Sequence, residues 1–317
     1  MTVDVIAVVG ATGTGKSELG VGLAEALDGE VINADSMQLY RGMDIGTAKL
    51  NEVERRGVPH HLLDIWEVDR AANVAEYQRM ARAAVAEIAD RGKLPILVGG
   101  SGLYLRAVID DLQFPGTDPQ LRMELQQECD RLGSAAMHAR LAGIDPAAAA
   151  AILPTNARRV IRALEVVEMS GGRFRATLPV PRPVLAALTF GLALPREVLN
   201  PRLADRVDAM FERGLVREVE SLEGLAGSPT ASRALGYRQV LALLAGVGDL
   251  SQAAADTVTA TRKFARRQVS WFRRDQSVRW LDAADPRLLA MAVTLAQTAG
   301  VGVDPQRPKS PRAPRDD

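Results

Sequence analysis

The sequence predicts an α/β protein, a parallel sheet flanked by helices and interrupted by an all-helical insertion. Three observations carry that expectation. The apolar run Val5-Ile6-Ala7-Val8-Val9 leads straight into Gly10-Ala11-Thr12-Gly13-Thr14-Gly15-Lys16-Ser17, the G-x-x-x-x-G-K-[ST] pattern of a phosphate loop. Strand-like and helix-like segments then alternate through the first hundred residues, as in sheets whose parallel strands are joined by crossover helices. The alternation stops at Phe114-Pro115-Gly116, and residues 121–169 read as helix throughout.

Each element follows from its residues. Residues 5–9 are apolar without alternation, as a strand covered on both faces should be. Glycines let residues 10–17 curl around an anion. Backbone N–H groups and the N-terminus of the next helix, residues 17–27, add partial positive charge. Gly10, Ala11, Thr12, Gly13, Thr14 and Gly15 supply the cradle, Lys16 a full charge, and the Ser17 hydroxyl a ligand for Mg²⁺. The expected ligand is a di- or triphosphate, and the expected core is of the P-loop NTPase or kinase-like type. Glu30-Val31-Ile32-Asn33-Ala34 reads as a short strand ending at Asp35, residues 73–91 as a helix, and Leu94-Pro95-Ile96-Leu97-Val98 as a second buried strand ending in Gly99-Gly100-Ser101-Gly102. Ligands of such sheets gather at the strand carboxyl ends, where all three loops lie. Gly171-Gly172 with Pro179, Pro181 and Pro183 marks a loop, and residues 184–194 read as a strand returning to the sheet. The core is therefore expected at residues 1–115 and 183–300, with the insertion at 116–182. Residues 301–317, rich in Pro, Arg and Lys beyond Val303, read as a disordered tail.

Composition narrows the class. The chain has 317 residues, 47% hydrophobic and 25% charged, which is ordinary for a folded protein. No apolar run is long enough to span a membrane, and the first apolar segment is already the strand feeding the phosphate loop. No membrane association is expected, and the expected compartment is the cytoplasm. Cys129 is the only cysteine, which excludes an intramolecular disulfide and a thiolate metal site. Net charge is zero, yet Arg262, Lys263, Arg266, Arg267, Arg273, Arg274 and Arg279 face one acid, Asp275. Arg158, Arg159 and Arg162 form a second basic group. Arg262, Arg266 and Arg273 recur at helical spacing, and a stripe of that kind calls for a phosphate counter-charge.

The second constellation is Asp35-Ser36-Met37-Gln38-Leu39-Tyr40, followed by Gly42-Met43-Asp44-Ile45-Gly46-Thr47-Ala48-Lys49. A carboxylate at this strand end faces the phosphate loop, where it would hold Mg²⁺ or accept a proton; as plain architecture it would N-cap a short helix. His60 and His61 are adjacent and lack a third ligand at metal spacing, so a structural or rim role is expected.

These residues resemble the tRNA dimethylallyltransferases. The resemblance covers nearly the whole chain. Besides the phosphate loop and residues 35–49, it includes Pro59-His60-His61-Leu62-Leu63-Asp64, Leu97-Val98-Gly99-Gly100-Ser101-Gly102-Leu103-Tyr104 and Asn156-Ala157-Arg158-Arg159-Val160-Ile161-Arg162-Ala163-Leu164-Glu165. Gly236-Tyr237-Arg238-Gln239 and Thr261-Arg262-Lys263-Phe264-Ala265-Arg266-Arg267-Gln268 complete it. Ser101 stands where many members carry Thr, and no zinc-finger extension follows the core, as in bacterial members. The resemblance implies transfer of a dimethylallyl group from dimethylallyl diphosphate to N6 of the adenosine 3′ of the anticodon. It implies Asp35 as proton acceptor, Ser101 as positioner of that carboxylate or of the adenine, and Lys16 at the departing diphosphate. Ser36, Met37 and Gln38, with Asp35, correspond to the adenosine-recognition stretch. The tRNA anticodon arm is expected on Gly236, Tyr237, Arg238 and Gln239, and between the two basic groups, Arg158, Arg159 and Arg162 on one side and Arg262 and Arg266 on the other. Arg202 and Arg206 lie four apart where kinase-like folds place diphosphate-binding arginines, and Arg206 is expected in that role. Ala11, Met37, Leu39 and Leu103 suit a five-carbon alkenyl group, and a monomer is expected. A small-molecule kinase of the same fold, an adenylate isopentenyltransferase and a non-catalytic RNA-binding protein are the rival readings.

Overall fold

The structure, a computed structural model, describes residues 3–176 and 178–301. Strand β1 (Val5–Gly10) is buried at every position. Val5, Ala7 and Val9 enter one apolar cluster while Ile6 and Val8 enter another on the opposite face, which is why the run lacks polar alternation. α1 (Lys16–Leu27) follows the phosphate loop and leads to β2 (Gly29–Asn33). After an irregular segment come β3 (His60–His61), α2 (Val74–Asp90), β4 (Leu94–Val98) and α3 (Gly102–Ile109). Asn73 starts α2 by accepting the N–H groups of Ala75 and Glu76.

Four helices then form a unit of their own: α4 (Pro119–Leu132), α5 (Ser134–Ile144), α6 (Pro146–Ala150) and α7 (Ala157–Ser170). Leu125, Cys129, Met137, Leu141, Val160 and Leu164 lie in its separate core. Burial raises the Cys129 thiol pKa, so this cysteine is a packing residue. The unit spans Leu112–Arg182, whereas the sequence pattern placed its start at 116. The Pro115-Gly116 break lies inside it because the Arg162 guanidinium donates to both carbonyls, at 2.7 and 3.0 Å.

The chain re-enters the sheet as β5 (Ala187–Ala193), shorter than the 184–194 run. It continues through α8 (Arg196–Glu212), α9 (Leu215–Ser221), α10 (Tyr237–Leu244), α11 (Leu250–Phe272), β6 (Arg279–Asp282) and α12 (Leu288–Thr298). Strand order is β3-β2-β4-β1-β5-β6, with every neighbouring pair parallel. β3 and β6 were not expected; they are short edge strands without a periodic signal. Val8 lies opposite Val98, and Val98 opposite Asn33, so the loops after β1, β2 and β4 leave the sheet at one edge. β1 sits where the direction of strand addition reverses, the position at which such sheets bind ligands. The tail expected from 301 falls outside the described residues except for Val301, which is buried with its N–H on the Ala296 carbonyl. Among the described residues no helix is long and apolar enough to cross a membrane.

Candidate active site

Gly13 and Gly15 hold φ of +82° and +86°, which L side chains rarely adopt, and this turns the loop on itself. Thr14 Oγ1 and Lys16 Nζ both donate to the Ala11 carbonyl, at 2.8 and 2.7 Å. The N–H groups of Gly13, Thr14, Gly15, Lys16 and Ser17 have no hydrogen-bond partner among the described residues, nor has the Ser17 hydroxyl. Converging donors left open at a helix N-terminus form an anion cradle. Lys16 stands beside it with its pKa lowered to about 8 by burial, against the raising effect of Asp35 and with a lowering one from Arg206. Burial likewise lowers the Arg206 pKa, opposed by Asp35 and reinforced by Arg202. Lys16, Arg206 and Asp35 thus share one crevice, and Arg206 reaches it from α8.

The turn after β2 is built by Asn33. Its Oδ1 accepts the Asp35 N–H at 2.9 Å, and its Nδ2 donates to the carbonyls of Asp35 and Leu62, both at 3.0 Å. Asp35 Oδ1 accepts the Met37 N–H at 3.0 Å, whereas Oδ2 has no hydrogen-bond partner among the described residues. The architectural and chemical roles open for Asp35 are therefore divided between its two oxygens. Burial and the neighbouring Tyr104 and Asp35 push the Tyr77 hydroxyl pKa far up, and that hydroxyl donates to the Asn33 carbonyl at 2.9 Å. Ser101 touches the Asp35 segment at Ser36, accepting its N–H at 3.4 Å and meeting its Oγ at 3.5 Å. It does not reach the Asp35 carboxylate in this arrangement. Gln38 donates to the Thr47 carbonyl at 3.2 Å, tying residues 35–38 to the loop beyond them. Met37 and Leu103 remain half-buried, but Ala11 and Leu39 are packed into the core, which leaves only the first two to line an alkenyl site.

Two contributors act on partners distant in the chain: Glu218 gave no sequence signal, and Gln268 stood out only as the end of the 261–268 segment. Glu218 on α9 accepts the N–H groups of Asp44, Ile45 and Gly46, at 3.2, 2.7 and 3.3 Å, and the Tyr237 hydroxyl at 2.5 Å. Gln268 on α11 is buried between the phosphate loop and the loop after β4. Its Oε1 accepts the Thr12 N–H at 2.8 Å, and its Nε2 donates to the Gly100 carbonyl at 3.0 Å.

The turn at 236–239, expected on the anticodon arm, is largely buried. Tyr237 is fully buried and Gln239 caps the Gly236 N–H at 3.0 Å, so Arg238 is the exposed side chain of the four. Of the mid-chain arginines, Arg162 is committed to Glu165 at 2.9 Å, and Arg159 donates to the Ala176 carbonyl; Arg158 is exposed. The basic run on α11 ends sooner than the sequence stripe, with Arg273 at the cap and Arg279 on β6. Arg262 donates to the Asn200 carbonyl at 3.1 Å, and its buried Nε has no partner among the described residues. It lies with Arg196, Lys263 and Arg266 along a cavity of about 210 Å³. His61 binds Glu30 at 2.6 Å, and His60 Nδ1 lies 2.8 Å from the Val58 carbonyl.

Comparison with known proteins agrees with this architecture. The family described as IPP transferase matches residues 38–275. Curated relatives named tRNA dimethylallyltransferase include one from Salinispora arenicola, 57% identical over 93% of this chain and 87% of its own length. Another, from Thermobifida fusca, is 58% identical over 92% and 93%. A solved tRNA isopentenylpyrophosphate transferase from Bacillus halodurans superposes with a TM-score of 0.69 at 40% identity, covering 93% of this chain and 96% of that one. A eukaryotic dimethylallyltransferase solved acting on tRNA gives 0.77 at 29% identity, covering 96% and 82%. The chain belongs to the IPP transferase family.

Proposed function

We propose that this chain transfers a dimethylallyl group from dimethylallyl diphosphate to N6 of the adenosine 3′ of the anticodon in tRNA, releasing diphosphate. The observation that carries this reading is the meeting, at one sheet edge, of open phosphate-loop amides with Lys16, Arg206 and the unpartnered oxygen of Asp35. The exocyclic amine is a weak nucleophile because its lone pair is delocalised. As it attacks the allylic carbon, the carbon–oxygen bond breaks and its electron pair passes to the diphosphate. The amides of Gly13–Ser17, with Lys16 and Arg206, hold that developing charge in a site already organised for it. The N6 proton passes to Asp35 Oδ2. Ser17 fits a Mg²⁺ ion, since its hydroxyl has no hydrogen-bond partner among the described residues, and Mg²⁺ held there would neutralise part of the diphosphate charge. The adenine must leave its stack to enter, at a cost of a few kcal/mol that contacts to neighbouring nucleotides offset.

Incubation with unmodified tRNA and labelled dimethylallyl diphosphate, followed by nucleoside analysis, tests the reading. Label is expected in a single prenylated adenosine. Asp35→Asn should lower kcat by about a hundredfold or more with tRNA affinity retained. Phosphorylation of a small molecule from ATP, with tRNA left untouched, would overturn it in favour of a kinase.

A further inference from the structure

We propose that Gln268 is a positioning residue for the transfer reaction: its single amide locks the phosphate loop to the loop after β4. This rests on the activity proposed above but concerns a side chain whose amide is spent on two backbone atoms. A primary amide offers one strong acceptor and one donor pair on opposite sides. Gln268 uses them on two different loops, Oε1 on Thr12 N–H and Nε2 on Gly100 O. Both partners are backbone atoms, so the contact sets main-chain position rather than a side-chain rotamer. Gln268 is buried, so neither bond competes with bulk water, and losing one leaves a buried polar group unsatisfied.

The loop sequence is shaped around this contact. A Cβ on Gly100 would stand 2.0 Å from Gln268 Nε2, and one on Gly102 would stand 1.9 Å from Trp271 Nε1. The glycines on either side of Ser101 are thus the places where α11 presses its side chains against the loop. Thr12 N–H is the loop donor that Gln268 takes, and the donors from Gly13 to Ser17 are the ones left open. The amide therefore anchors the near end of the cradle without occupying the part that receives the anion. Ser101, next to Gly100, meets the Asp35 segment. One side chain consequently fixes the separation between the diphosphate cradle and the segment carrying the base, a distance on which an in-line transfer depends.

The test compares Gln268→Leu, which keeps bulk and loses both bonds, with Gly100→Ala, which displaces the amide from the other side. Each should lower kcat by about ten- to a hundredfold, with tRNA affinity within about twofold of the parent. Inorganic diphosphate, titrated calorimetrically without tRNA, should bind about tenfold more weakly to each. Gln268→Glu retains the acceptor for Thr12 but sets a carboxylate against the Gly100 carbonyl. Protonation restores a donor, so its kcat relative to the parent should rise as pH falls. A purely structural role would not produce that profile. Parental kcat and diphosphate affinity in the two variants overturn the proposal, as does a flat Gln268→Glu ratio, or a loss of tRNA affinity matching the loss of kcat. Should Gln268→Leu fail to fold, Gly100→Ala and Gln268→Glu decide. Failure of the unmutated protein to modify tRNA overturns the activity instead, and the diphosphate titration still judges Gln268.

Discussion

On α7, Arg162 is held by Glu165 at 2.9 Å and by two backbone carbonyls, and Arg122 reaches the same carboxylate at 2.6 Å. On α11 and just past its end, no carboxylate lies within ion-pair distance of Lys263, Arg266, Arg273 or Arg274 among the described residues, and Arg267 rests on the Phe264 ring. In the sequence these clusters look alike. They differ in where their counter-charge comes from: α7 brings its own, buried within the insertion, while α11 leaves its own to be supplied from outside. A count of basic residues measures neither. Free cations on a solvated face attract phosphates, whereas a guanidinium closed on a buried carboxylate is part of the architecture.

The largest expected effect comes from removing the counter-charge. Glu165 is fully buried, accepts Arg122 and Arg162, and also takes the Asp118 N–H at 3.0 Å. Glu165→Gln should destabilise the insertion by about 3 kcal/mol, because both guanidinium groups lose their partner. Amide exchange in α4 and α7 should accelerate accordingly. The substitution also adds one positive charge, so tighter tRNA binding with a steeper salt dependence would break the comparison. Next in size is Arg162→Ala, which frees the carbonyls of Pro115 and Gly116 but leaves Arg122 on Glu165. A loss of about 1–3 kcal/mol is expected in the same exchange measurement, with the salt dependence of tRNA binding unaltered.

The contrast also marks what a sequence can disclose. The phosphate loop was legible because its donors, its lysine and its positive-φ glycines lie within eight contiguous residues, and the chemistry depends on that contiguity. Asp35 was legible as a strand-end carboxylate, though only the structure divides its oxygens between a turn and the crevice. Tyr237 and Gln239 belonged to a recognisable segment, but membership of a segment does not reveal which way a side chain faces. Glu218 was silent and Gln268 was only the last residue of a recognisable segment, since each acts on backbone atoms more than 150 positions away, and no local pattern encodes such a contact. The short edge strands β3 and β6 escaped for a related reason: pairing with β2 and β5 makes them strands, not their own periodicity.

A third basic site, Lys16, sharpens the comparison because its charge depends on pH. Burial lowers its pKa to about 8, with Asp35 opposing and Arg206 reinforcing the shift. A lysine loses its proton as pH rises through its pKa, so the cation is present below pH 8 and lost above it. Since kcat/KM reports the free enzyme, kcat/KM for the prenyl diphosphate should fall above about pH 8, by roughly tenfold per unit. Asp35→Asn removes the charge that raises the Lys16 pKa, so the residual activity should begin its decline at lower pH. A decline that does not move would separate Lys16 from Asp35.

The smallest effect tests α11 itself. Lys263 and Arg266 line the cavity that also holds Arg262 and Arg196, and neither side chain makes a hydrogen bond or ion pair with the described residues. Their replacement by alanine breaks no interior contact, so the melting temperature should stay within about a degree or two. If each meets one RNA phosphate, each single substitution should weaken tRNA binding by about threefold near physiological salt. It should also reduce the slope of log affinity against log salt by about 0.9. The losses should add, because the sites are electrostatic and share no protein partner. The same pair measured with dimethylallyl diphosphate should leave its KM unchanged at saturating tRNA. A melting-temperature loss with an unaltered salt slope would place the α11 arginines with those of α7, as architecture whose counter-charge is internal.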